Sequence, residues 1–315
     1  MMSSDSRLYL RNAEVVVGQR YTGKSPVKPA TGLSFKTRTN FSVEKTVEST
    51  PNNAKVSIYN LSQQSRTFLE QKNMVLFLSV GYQEALSTLF IGDITRIETK
   101  RQGADVITSI ESGDGELALR TSHVEISLEA NATNVQAMKA AIDALNITLG
   151  STDGIKTKVY KKGFTFSGTA KELLDTLTRQ LNLEWSVQDG ELIILPKNGP
   201  DGQEAVVVTP DTGLIGFPTK TKDGLEFVSL LNPRIRPGRV VIVRSKQFYG
   251  VEMEQSKFIA SRALKESGAI VKCKRVVYEG DTHEGNWQVK VEAIIPPQAL
   301  EAYGTGPVAM AEPLR

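Results

Sequence analysis

The chain has 315 residues, 40% of them hydrophobic and 23% charged, proportions that suit two or three folded domains and exclude a disordered or fibrous polypeptide. With 38 basic against 35 acidic residues, the net charge of +3 is too small for bulk attraction to nucleic acid or an anionic membrane. The single cysteine, Cys273, excludes intrachain disulfides and thiolate clusters, and any triad or two-histidine metal site must use His123 or His283.

In chain order, the opening MMSSDSRLYLR has no apolar leader, and no apolar run approaches the ~20 residues of a membrane span. Synthesis in the cytoplasm and no membrane contact are expected. Next comes VVVGQRYTGKS. Residues 15–17 read as a strand, and residues 18–25 match the phosphate-loop pattern G-x-x-x-x-G-K-[ST]. A phosphate cradle also needs a helix starting at the Lys-Ser, and Pro26, Pro29 and Gly32 deny it. The nearest acidic strand end, Asp93, follows a glycine. A nucleotide-binding protein is therefore the weaker alternative, and Lys24 is expected to meet a protein neighbour.

Strand-like runs follow at 33–43, 54–59, 74–80, 89–98 and 105–111, with a short helix at 62–70 capped by Ser62. The middle changes period. Thr133 and Gln136, then Thr169 and Glu172, form two possible capping boxes ahead of helices near 134–146 and 170–182. Val135, Met138, Ile142 and Leu145 share one helical face, and Leu173, Leu174, Leu177 and Leu181 share the other. Asp189-Gly190 then predicts a hairpin over 183–195. The last third returns to strands at 205–209, 224–231, 239–245, 268–278 and 286–295, and a Pro-rich tail follows. Four segments result: β structure in 1–120, a small two-helix α/β module in 121–200, β structure in 201–295, and an extended arm in 296–315. The fold class is mainly β with an α/β insert.

Three groups of residues invite chemistry. Asp281, His283 and Glu284 in EGDTHEGNW could hold a metal or exchange protons, but turn-forming glycines and flanking strand patterns make a hairpin loop the better reading. Arg234, Arg236, Arg239, Arg244 and Lys246, with Lys272, Lys274 and Arg275, could meet phosphate; on alternating strands they read better as a wet face, or as partners of acidic groups on a neighbouring subunit. Asp175 and Glu184 could be cast as a glycosidase pair, but helix and strand positions predict ordinary solvation. No catalytic residue, metal or cofactor is assigned, and a hydrolase or protease is the enzyme alternative.

Four stretches, in order, resemble the central baseplate hub proteins of contractile-tailed bacteriophages, related in fold to the hub portion of type VI secretion spike proteins. They are AKVSIYNLS with the later VGY and LFIGDI, the hairpin LEWSVQDGEL, VSLLNPRIRPGR, and YEGDTHEGNW. The last departs from the family loop by Tyr278 in place of a histidine and by the extra Glu284. The resemblance implies a homotrimer with two tail-tube-like antiparallel β-barrels per copy, giving a pseudo-sixfold ring. That ring would join the tail tube, or a tube-adaptor protein, to the central spike, and DNA would pass through its lumen without sequence-specific binding. Baseplate wedge or sheath-proximal proteins are further partners it implies, and the virion tail is the location. Lys24, Arg234, Arg236, Arg239, Asp281, His283 and Trp287 are the interaction candidates.

Overall fold

The computed structural model describes residues 10–19, 32–83, 85–150, 155–197, 199–250 and 268–296. Lys24 with the rest of the GKS loop, and the C-terminal arm from residue 297, lie outside the described residues.

The first region contains β1 (Arg11–Gln19), β2 (Gly32–Phe35), β3 (Thr39–Thr46), β4 (Asn53–Tyr59), α1 (Gln63–Leu69), β5 (Met74–Tyr82), β6 (Ala85–Gln102) and β7 (Asp105–Gly113). Val15, Val17, Phe41, Val43, Val56, Ile58, Leu76 and Leu78 point into one core, as period-2 alternation requires. Ser62 caps α1 by accepting from the Ser65 amide at 3.1 Å. The run expected at 33–43 is broken at residues 36–38, so it supplies parts of both β2 and β3.

The middle holds α2 (Glu116–Thr121), β8 (His123–Leu128), β9 (Ala132–Thr133), α3 (Asn134–Leu145), β10 (Thr148–Leu149), β11 (Val159–Tyr160), β12 (Phe164–Thr169), α4 (Ala170–Leu181), β13 (Leu183–Gln188) and β14 (Glu191–Pro196). Both capping boxes form. Met138, Leu145, Leu173, Leu174 and Leu177 join Trp185, Val187 and Leu192 in a second core. Val135 is exposed, contrary to its assigned face; Ala137 and Ala141 occupy the buried side of α3 instead.

The last region adds β15 (Val206–Val208), a 3-10 turn (Pro210–Thr212), β16 (Leu214–Lys220), β17 (Gly224–Leu230), β18 (Val240–Val243), β19 (Tyr249–Gly250), β20 (Ala269–Asp281) and β21 (Trp287–Ile294). β3 pairs antiparallel with β20, fusing the first and last regions into one sheet in the order β19-β16-β17-β21-β20-β3-β4-β7-β6-β5-β1-β2. Residues from both regions fill the same core. The chain is mainly β, but among the described residues the strands form no closed barrel; their path is one open 14-stranded sheet.

Candidate interaction face

From β17 to β6 the sheet turns one face inward and leaves the other open. Directly opposed residues share a face. Arg275 stands opposite Glu292 and Thr46, Val277 opposite Lys290 and Glu44, Glu279 opposite Gln288 and Ser42, and Lys55 opposite Glu111 and Ser42. Glu111 in turn faces Arg96, and Ser109 faces Glu98. These side chains lie opposite the core-facing set of Phe41, Val43, Val56, Ile110, Val276 and Tyr278.

The cations of this face sit against carboxylates. Arg275 bridges Glu44 at 2.6 Å and Glu292 at 2.5 Å, and these two partners push its pKa up further. Lys290 meets Glu279 at 2.8 Å, Lys100 meets Glu98 at 2.9 Å, Lys55 meets Glu111 at 3.7 Å and Arg96 meets Glu98 at 3.9 Å. Each exposed pair is worth only about 0–1 kcal/mol, so the ladder matters less for stability than for what the surface shows a passing ion. Near β16 an open groove of about 430 Å³ is lined by Phe217, Thr219, Glu226, Arg275, Glu279 and Lys290.

The β20–β21 turn carries three of the sequence candidates. Asp281 accepts from the His283 amide at 2.8 Å and pairs with Arg38 at 3.2 Å, while Glu284 pairs with the same guanidinium at 2.9 Å. Burial works to raise the Asp281 carboxyl, but the His283 amide and Arg38 outweigh it and hold it below the usual range. Arg11 Nη1 donates to the Gly285 carbonyl at 2.9 Å, tying β1 to the turn. His283 is exposed, and its Nδ1 lies 3.2 Å from its neighbour's Thr282 hydroxyl. Trp287 is buried edge-on to Phe41 at 5.4 Å and to Tyr82 at 6.4 Å. No group of His, Cys, Asp and Glu with metal-site geometry occurs among the described residues.

The arginine run is elsewhere and is held by its own chain. Arg234 meets Glu204 at 3.1 Å and Arg239 meets Asp201 at 2.7 Å. Arg236 donates to the carbonyls of Pro233 (3.0 Å) and Thr88 (3.1 Å) and pairs with Asp189 at 3.3 Å. The ordinary solvation expected for Asp175 and Glu184 is corrected by the structure. Asp175 pairs with Lys171 at 2.7 Å and accepts from Trp185 Nε1 at 2.9 Å, while Glu184 pairs with buried Lys272.

Those contacts belong to a seam missed in the sequence. The β13–β14 hairpin docks on the large sheet through Lys272–Glu184, Asn52 Nδ2 donating to the Val187 carbonyl at 2.7 Å, and Lys45–Asp189 at 2.5 Å. At the hairpin tip, the amides of Asp189 and Gly190 donate to Asp114 at 2.5 and 3.0 Å. One signal was available: Lys45 follows Phe41 and Val43 at inward positions of β3, where an unpaired lysine would be costly.

A family model described as "Baseplate hub gp41" matches residues 33–248. None of the curated proteins matches the sequence. Among solved structures, the chain resembles a 43 kDa tail protein of prophage MuSo2 from Shewanella oneidensis at 10% identity and TM-score 0.59, over 90% of this chain and 98% of that one. It resembles a tail protein from Neisseria meningitidis MC58 at 10% identity and TM-score 0.56, over 92% and 99%. The E. coli c3393 protein, described as a type VI secretion component structurally similar to T4 tail proteins gp27 and gp5, matches at 11% identity and TM-score 0.50, over 82% and 73%.

Proposed function

Because this chain belongs to the baseplate hub gp41 family of phage tail components, we propose that it is a non-enzymatic adaptor, three copies of which form a ring between tail tube and central spike. The regions 1–120 and 201–295 supply two tube-like β units per copy, and 121–200 forms a module beside them. DNA passes through the lumen without being held.

The charge-paired sheet face carries this reading. A polyanion is retained where lysine and arginine replace its counterions. On this face the cations are already matched by Glu44, Glu98, Glu111, Glu279 and Glu292, so a lumen built from it offers DNA little to grip. Sheet edges support ring formation. β6 pairs with β5 only as far as Asp93 but continues to Gln102 along β7, leaving one edge of its last residues open among the described residues. Open edges are where copies join, and closure of the sheet is assigned to neighbouring copies. Spike partnership draws on the likeness to the c3393 protein. Hydrolase chemistry is disfavoured, since Asp175 and Glu184 are occupied by Lys171, Trp185 and Lys272.

Light scattering on the chain alone and mixed with its phage's spike protein tests the adaptor. Three copies per complex are expected. A complex of any other stoichiometry, or no complex with the spike, overturns the reading.

A further inference from the structure

The α/β module presents a second charged surface of the opposite character. Lys156, Lys158, Lys161 and Lys162 fall within seven residues, and all four side chains are exposed. None pairs with a carboxylate among the described residues, in contrast with the cations of the sheet face. The backbone beneath them is pinned. Asn134, fully buried, donates through Nδ2 to the Lys156 carbonyl at 3.0 Å and accepts from the Lys158 amide at 2.7 Å. Its own amide donates to the Lys158 carbonyl at 3.0 Å.

Lys161 and Lys162 occupy a turn closed by the Gly163 amide donating to the Tyr160 carbonyl at 3.1 Å. Gly163 has φ +83, and a Cβ there would lie 2.6 Å from the Leu128 carbonyl oxygen, so the position needs glycine. Tyr160 stacks on Phe164 across the turn at 4.8 Å. Val159, between the two lysine pairs, is 50% exposed, and Val135 in the first turn of α3 is 47% exposed. The result is a rigid ridge of unmatched positive charge with aliphatic surface at its centre.

We propose that this ridge, built on residues 156–162, is a docking surface for an acidic segment of a neighbouring protein outside the hub ring. Preorganised charge favours complementary recognition, since little backbone entropy remains to be lost on binding. Protein rather than DNA follows from the aliphatic surface of Val159 and Val135 at the ridge's centre. The exposed valines suit a protein surface better than a phosphate backbone.

Binding of the full chain to a labelled polyglutamate peptide and to a labelled DNA duplex, at low and high salt, tests the proposal. One variant carries Lys156→Glu, Lys158→Glu, Lys161→Glu and Lys162→Glu. A control with the same charge change carries Lys36→Glu, Lys72→Glu, Lys197→Glu and Lys222→Glu. Salt-sensitive peptide binding that falls about tenfold or more in the ridge variant alone is expected. Equal loss in both variants, or ridge-dependent binding of the duplex tighter than that of the peptide, overturns the proposal. Circular dichroism and spike binding of the ridge variant should match wild type. Failure of the wild type to bind spike would sink the hub reading while leaving the peptide result to stand or fall separately.

Discussion

Asp114 is fully buried, and both of its oxygens are used, accepting the Asp189 and Gly190 amides. Burial, and then the nearby Asp189 carboxylate, push its pKa from 3.8 up to about 7, against opposition from Lys45 and the two amides. A carboxyl with a raised pKa binds its proton more tightly in the folded than in the unfolded chain. Its contribution to stability is therefore greatest below about pH 4 and is lost as pH rises through about 7. The urea midpoint is expected to fall between about pH 5 and pH 7.5, with a shallower fall in Asp114→Asn; equal slopes would refute this role. Asp114→Ala, which strands two buried amides, should cost about 2–4 kcal/mol at any pH in that range. Lys45 and Lys272 show the same economy: each is 1% exposed and tolerable only because Asp189 and Glu184 reach it from the module.

Among elements, those with local chemical punctuation were legible. The Thr133/Gln136 and Thr169/Glu172 boxes mark both long helices, because the side chains that satisfy the first amides lie three residues apart. Asp189-Gly190 marks the hairpin because its turn needs two positive φ values, observed as 57° and 79°. Gly190→Ala should lower stability by about 1 kcal/mol, read as a shift in denaturant midpoint without a change in slope. No shift would mean that the turn relaxes freely. β16 was not legible: Gly216 and Pro218 in LIGFPTK read as breakers, and the pairing absorbs them as an irregularity between Ile215 and Thr219. Val135 was misplaced because helical periodicity gives the spacing of a face, not how wide a neighbour covers it.

For the whole molecule, the salient property is a long sheet with matched charge along its open face and an α/β module docked against it. Replacing Glu44, Glu279 and Glu292 by lysine would free Arg275 and Lys290 and add three cations. Particles complemented with that variant should assemble but eject DNA more slowly, increasingly so at low salt. Normal ejection from normal particles would remove the face from the lumen.

By itself, the sequence determined the two long helices, the hairpin at Asp189-Gly190 and most of the long strands, because alternation, caps and the Asp-Gly turn are local constraints set by backbone geometry. It also set the order of segments that resemble a phage hub, and Pro26 and Pro29 in it argue against a phosphate cradle at GQRYTGKS, which lies largely outside the described residues. Only the tertiary structure decided that β3 and β20, over 200 residues apart in sequence, join the two β regions into one sheet. It alone matched Arg275 to Glu44, Lys272 to Glu184 and Lys45 to Asp189. Which charges cancel depends on distances of a few ångströms between remote segments, and composition carries no record of those distances.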